Sequence, residues 1–136
     1  MKKYLAALLV LAAGCLGSTD NNFFFSYDVQ RLDAAPTTPI TVTTENVISG
    51  ALQVRSTTST PCFTDQITLE GDRQGTLLLL NINKQSVAGA CTDTRVRYHN
   101  YSAIFSGVQP GTYELRIVNN ISSAGTVDYD QQITIK

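Results

Sequence analysis

The chain reads as an all-β protein, an antiparallel sandwich preceded by a helical leader and a short tether. Three observations carry that reading. Short segments alternate apolar and polar residues with a period of two, as in Ile40-Thr-Val42, Leu52-Gln-Val54 and Ile67-Thr-Leu69. Turn-forming Gly, Pro, Asn and Asp residues recur between them. Beyond the leader no segment carries an apolar stripe at the helical period of 3.6.

The leader comes first. Lys2 and Lys3 form a short positive region, and Tyr4 to Ala13 form an apolar run. That run is too short to cross a bilayer, which needs ~20 apolar residues. A basic start, a short apolar middle and small residues at its end describe a secretory signal peptide over residues 1–14. Ala12-Ala13-Gly14-Cys15 resembles the lipobox of bacterial lipoproteins. The resemblance implies cleavage before Cys15, which would then carry a diacylglycerol and a further acyl chain such as palmitate. The chain departs from the family in placing Leu11 four residues ahead of the cysteine, with Ala12 where Leu is usual. Ordinary secretion with a soluble end at Cys15 is the alternative. One acyl chain holds a protein to a membrane only marginally, and two or more hold it stably. Leu16 in place of Asp after the cysteine is similar to the outer-membrane sorting signal of enterobacterial lipoproteins.

Residues 15–136 suffice for one domain. Loss of Lys2 and Lys3 takes the net charge from −1 to −3. A mildly acidic chain with interspersed signs argues against a nucleic-acid partner. With Cys15 lipidated, Cys62 and Cys91 remain as a pair in an oxidising compartment, and a disulfide between them is the economical reading. Free thiols or metal ligands are the alternative. A single His and a single Met leave a zinc or copper site short of donors, so no metal and no cofactor is expected.

Residues 15–38 read as a lipidated tether with an aromatic cluster, and 39–136 as the sandwich. Leu16 to Asn22 are small and polar, as in a flexible spacer. Phe23-Phe-Phe-Ser-Tyr27 is too apolar to stay in water, and reads as a first strand or plug, or as an adhesive patch. Pro36 and Pro39 break regular structure. Strands are then expected over Ile40–Val42, Leu52–Val54 and Ile67–Leu69, with a turn at Glu70–Gly75. The leucine run Thr76–Ile82 reads as a strand buried on both faces. Val96–Tyr98, Ala103–Phe105, Tyr113–Val118 and Val127–Ile135 complete the set.

Gly107-Val-Gln-Pro-Gly-Thr-Tyr-Glu-Leu-Arg-Ile-Val118 couples a type II turn at Pro110-Gly111 to an alternating strand. It resembles the Pro-Gly-x-Tyr segment of immunoglobulin-like, fibronectin type III-like and transthyretin-like bacterial modules. The resemblance implies that Tyr113 serves as a tyrosine corner, its hydroxyl bonding back to upstream backbone. The chain departs from immunoglobulin domains in having no Trp and in carrying Leu115 where their second cysteine falls.

Chemistry-bearing residues are few. Arg95, Arg97 and His99 alternate on one face of a strand opposite Val96 and Tyr98, and could hold an anion such as phosphate or a sugar acid. The plainer reading is the wet side of a half-buried strand. Asp128 and Asp130 would share a face of the last strand, either as an acidic pair or as solvated charges that discourage edge pairing. Asn100-Tyr-Ser102 and Asn120-Ile-Ser122 match the glycosylation pattern, read as coincidence behind a bacterial leader. There is no G-x-S-x-G elbow and no phosphate loop. An enzyme would have to gather Asp65, Asp72, His99, Asp128 or Tyr129 in one pocket. The expectation is therefore non-catalytic: a lipid-anchored envelope module with a structural or binding role. Its alternative is an inhibitor or regulatory binder of an envelope enzyme, presenting the 83–95 segment beside Cys91.

Overall fold

The computed structural model describes residues 22–36, 39–43, 50–86 and 89–136. The leader, Cys15 and the start of the tether lie outside the described residues, as do Thr37 and Thr38. Eight strands are described: β1 (Phe24–Leu32), β2 (Thr41–Thr43), β3 (Leu52–Thr60), β4 (Gln66–Gln74), β5 (Leu77–Gln85), β6 (Arg97–Ser106), β7 (Gly111–Asn119) and β8 (Thr126–Ile135). They form two four-stranded sheets, ordered β1-β6-β3-β2 and β4-β5-β7-β8. The protein is a β-sandwich.

All pairings are antiparallel except β5 with β7, which is parallel because β6 lies between them in sequence and crosses to the other sheet. Parallel neighbours need such a crossover. The aromatic cluster is part of the body. β1 pairs with β6 along its whole length, from Phe24 opposite Ser106 to Leu32 opposite Tyr98, so the first sheet begins inside the segment read as tether. Phe23 and Phe25 pack on Phe105, with ring centroids 6.2 and 5.1 Å away.

Two further segments differ from the sequence reading. Glu70–Gln74 belongs to β4, not to a turn, and Glu70, Asp72 and Gln74 are on the outward half of an alternating strand; the reversal is confined to Gly75 and Thr76. In β5 only Leu78, Leu80 and Ile82 are fully buried, whereas Leu77 and Leu79 lie half-buried on the outer face. A run of identical leucines hides the period of two that the sheet imposes. Gly111 also departs from a type II turn: its φ of 155° is far from the about +80° that turn requires, and it already pairs with Ile135 in β7.

The core changes character along its length. At one end Leu52, Phe105, Val108, Leu78 and Leu115 are fully enclosed. Towards the other, the inner positions of β3 and β6 become Ser56, Thr60, Tyr101 and His99, all at least nine-tenths buried. Burial pushes the Tyr101 hydroxyl up to about 12. The chain enters at the apolar end. Asn22 lies against Gly107 so closely that a Cβ there would collide with the Asn22 carbonyl, and Gly107 sits at φ 71°. Both constraints demand glycine.

Gly75 shares the positive φ, 62°, but faces open space. Replacing Gly75 with Ala should therefore cost about 1 kcal/mol from the backbone alone, and Gly107→Ala clearly more, since left-handed strain costs about 1–3 kcal/mol before any collision. Urea midpoints of the two variants check this. Equal losses would mean that Asn22 does not pack on Gly107.

Candidate binding end of the sandwich

The turn Pro61–Asp65, the segment before β6 and the β7–β8 turn meet at the end opposite chain entry. This follows from the registers that place Thr60 beside Arg97, Gln66 beside Gln85 and Ile82 beside Asn119. Apolar burial is thinnest here, and the cysteine bridge lies here. Cys62 and Cys91 are disulfide-bonded with their Cα atoms 5.9 Å apart.

The disulfide is one of several ties on the same turn. The Phe63 amide donates to the Asp93 carbonyl at 3.0 Å. The Phe63 carbonyl accepts from Arg97 Nε at 2.9 Å. Two guanidinium groups lie over the Phe63 ring, Arg97 at 3.4 Å and Arg95 at 4.1 Å from its centroid. A cation over an aromatic face is attracted by the ring quadrupole. Each cation also has a carboxylate: Arg95 meets Asp93 through both oxygens, and Arg97 reaches Asp33 at 3.0 Å, tying down the exit of β1. The Arg95 hydrogen bond holds the Asp93 carboxyl down at about 2.

The three residues read as one face therefore do different work. Arg95 is exposed ahead of β6, Arg97 is nearly enclosed against Phe63, and His99 is fully buried between the sheets. The side of β6 that carries Arg97 and His99 faces inward, so it is not the wet side. Val96 on the other side is 46 % exposed. Alternation gives the two faces of a strand but not which one meets the core.

His99 Nε2 is 3.2 Å from Thr60 Oγ1, which also lies 3.3 Å from the Cys62 carbonyl. The hydroxyl has one proton to give, and the imidazole tautomer decides which of the two contacts it serves. Nδ1 is buried with no partner. Burial, with Arg31 and Arg97 nearby, holds the imidazole below its ordinary value of 6.5, against a weaker opposite pull from Asp65.

The remaining candidates are dispersed. Asp128 accepts from Asn119 and Thr126, whereas Asp130 binds Arg116, which also meets Glu114. A register shift at Ile117/Val118 separates the two aspartates. Asp72 bonds to Gln74 in β4, at the other edge of the sheet from β8. Asp65, at 4 % exposure, shares the stapled end with His99 and lines an open hollow of about 350 Å³ with Lys84 and both cysteines. Asn120 donates to Asn83 at 3.1 Å. The Tyr113 hydroxyl donates to the Gln109 carbonyl at 2.8 Å, closing the loop that leads into β7. Among the described residues no group of three His, Cys, Asp or Glu side chains is placed to hold a metal ion.

Sequence reasoning missed Phe63 as the hub of this end, and missed Thr60 as the partner of His99. The one available signal was that Phe63 follows a cysteine. Comparison with known proteins finds no matching family model, no matching curated protein and no matching solved structure.

Two outcomes follow. Replacing Cys62 and Cys91 together with Ser opens a loop with a sequence separation of 29, and should lower stability by about 3–4 kcal/mol in the chain-entropy account. A urea midpoint unchanged by reductant would contradict it. For His99, the folded state holds a lower proton affinity than the unfolded chain, so the unfolded state binds more protons just below pH 6.5. Stability is full above that value and falls as the pH drops through it. Because His99 is the only histidine, its NMR titration is unambiguous, and a midpoint above 6.5 would refute the assignment.

Proposed function

We propose that the chain is a lipid-anchored module of the bacterial envelope that works by contact, holding its stapled end out to a partner. The observation that carries this is the placement of the two ends. The chain enters beside Gly107, and the Cys62–Cys91 end lies one strand length away. Nine-residue strands at roughly 3.3 Å per residue put about 30 Å between them. With acyl chains on Cys15 and the spacer to Asn22, the apolar end faces the membrane, and the end rich in Arg, Asp and exposed loop faces away. Among the described residues Arg97 is held on Phe63, His99 on Thr60, Asp128 on Asn119 and Asp130 on Arg116, each engaged in scaffolding. That favours binding over catalysis.

A second reading has its own support. The segment from Gly89 to Val96 is clamped by the disulfide and by the Asp93–Phe63 bond. A preorganised loop loses less entropy on docking. That suits an inhibitor or regulatory binder of an envelope enzyme.

Two measurements test the proposal. Cys15→Ser should move the protein from the detergent phase to the aqueous phase, and unchanged partitioning would remove the anchor. A photocrosslinking residue at exposed Thr94 should capture a discrete protein in intact cells, while one at Gly75 should not. Capture from Gly75 alone would reverse the orientation.

A further inference from the structure

Two concavities adjoin the stapled end. The larger, about 420 Å³, is a cleft between β1 and β4, the edge strands of the two sheets, with Arg31, Ile67 and His99 among its walls. His99 is fully enclosed, so its imidazole offers nothing to an incoming molecule. The smaller is the hollow beside the disulfide, about 350 Å³, whose walls include Thr64, Asp65, Lys84 and Thr94 together with Cys62 and Cys91. That volume falls within the roughly 300–1,000 Å³ of small-molecule sites.

Asp65 sets this hollow apart. Only 4 % of it is exposed, and it is the one buried carboxylate among the described residues. Its amide donates to the Cys62 carbonyl at 3.1 Å, but its side chain has neither a hydrogen bond nor an ion pair among the described residues. Buried charges are almost always paired, because taking a carboxylate out of water without a partner is expensive. The carboxylate is nevertheless not sealed in. Among the described side chains His99 Nδ1 alone is both cut off from solvent and unpartnered. The Asp65 oxygens therefore keep an opening, and the hollow is what Asp65 lines.

Lys84 carries the complementary charge. It stands opposite Ile67 in the β4–β5 register, Ile67 being two residues along from Asp65, and it is exposed. Diagonal neighbours on paired strands lie about 7–8 Å apart, within reach of a long side chain. Yet Lys84 and Asp65 form no ion pair, with each other or with any other described residue. The hollow thus presents a sheltered negative charge, an exposed positive one, and the hydroxyl groups of Thr64 and Thr94. A simple cation satisfies Asp65 but is repelled by Lys84. A simple anion satisfies Lys84 but is repelled by Asp65. We infer that the hollow binds a small zwitterion, an amino acid or a dipeptide, its ammonium group donating to Asp65 and its carboxylate pairing with Lys84. A carboxylate only accepts and an ammonium group only donates, so the ligand's direction is fixed. The inference needs neither the lipid anchor nor a protein partner. It stands or falls apart from the reading above.

Half-ligands make the test direct. The full chain, labelled with ¹⁵N and with its disulfide intact, is titrated with glycylglycine, and with ethylamine and acetate as the two halves. Glycylglycine should saturate in the millimolar range and move the amide resonances of Thr64, Asp65 and Lys84. Ethylamine and acetate should each bind at least about tenfold more weakly, the factor that one charge-assisted contact of about 1.4 kcal/mol supplies. Lys84→Ala, at an exposed position that leaves the core intact, should weaken glycylglycine by a similar factor and leave ethylamine no weaker. Asp65→Asn, which keeps the side chain's shape, should weaken both. If glycylglycine moves none of these resonances, the hollow holds solvent only and the proposal is wrong. Equal binding of glycylglycine to the Lys84→Ala protein, or binding of ethylamine as tight as that of glycylglycine, also overturns it.

Discussion

The structure depends on a covalent tie placed where hydrophobic packing runs out. At the entry end, enclosed Leu, Phe and Val side chains from both sheets hold the layers together. Apolar burial is proportional to area, non-directional and tolerant, and it needs no further fastening. Towards the other end the inner positions of β3 and β6 carry Ser56, Thr60, Tyr101 and His99, which gain little from leaving water unless each finds a partner. The Cys62–Cys91 bridge removes much of the entropy that would otherwise open this end. With that tie in place, Phe63 can be held by its amide, its carbonyl and the two guanidinium groups over its ring.

The same division explains which parts of the molecule could be read from the sequence. The sandwich was legible because strands with one buried face write a period of two into the chain, and Ile67-Thr-Leu69 or Tyr113-Glu-Leu115 do so openly. The disulfide was legible because, once the lipobox resemblance sets Cys15 apart, Cys62 and Cys91 are left as a pair. The leucine run concealed its own alternation. In Glu70–Gln74 the glycine and charges resembled a turn, because Gly71 stands inside a strand. It does so because the Phe25 ring covers that position, and a Cβ there would strike it. No local pattern announces a contact between residues 46 apart. His99 failed for a similar reason. Its burial is decided by Thr60 across the β3–β6 pair and by Arg31 and Ile67 around the cleft, none adjacent to it in sequence.

The parallel pairing of β5 with β7 has a consequence for the outer surface. It places Leu79 beside Arg116 and Asn81 beside Val118, so the outer face of the second sheet mixes half-buried apolar side chains with an ion ladder of Glu114, Arg116 and Asp130. Exposed ion pairs of this kind add little stability, with a median near zero to 1 kcal/mol. Their stronger effect is on the edge. β8 presents unpaired backbone to solvent, and charged side chains along it discourage another strand from docking. The free edge of β1 is treated differently: it is flanked by the cleft, with Arg31 at its mouth.

Buried polar groups at one end of an otherwise apolar core are costly, and a more stable chain would replace them with leucine and valine. Thr60 and His99 are satisfied only towards each other and towards Cys62, which leaves one imidazole nitrogen facing nothing. Natural sequences tend to break their own local rules where function resides and to make up the loss elsewhere. Here the compensation can be named. The disulfide, the doubly stacked Phe63 and the Arg97–Asp33 tie all lie within a few residues of the break, and all three stiffen the same end.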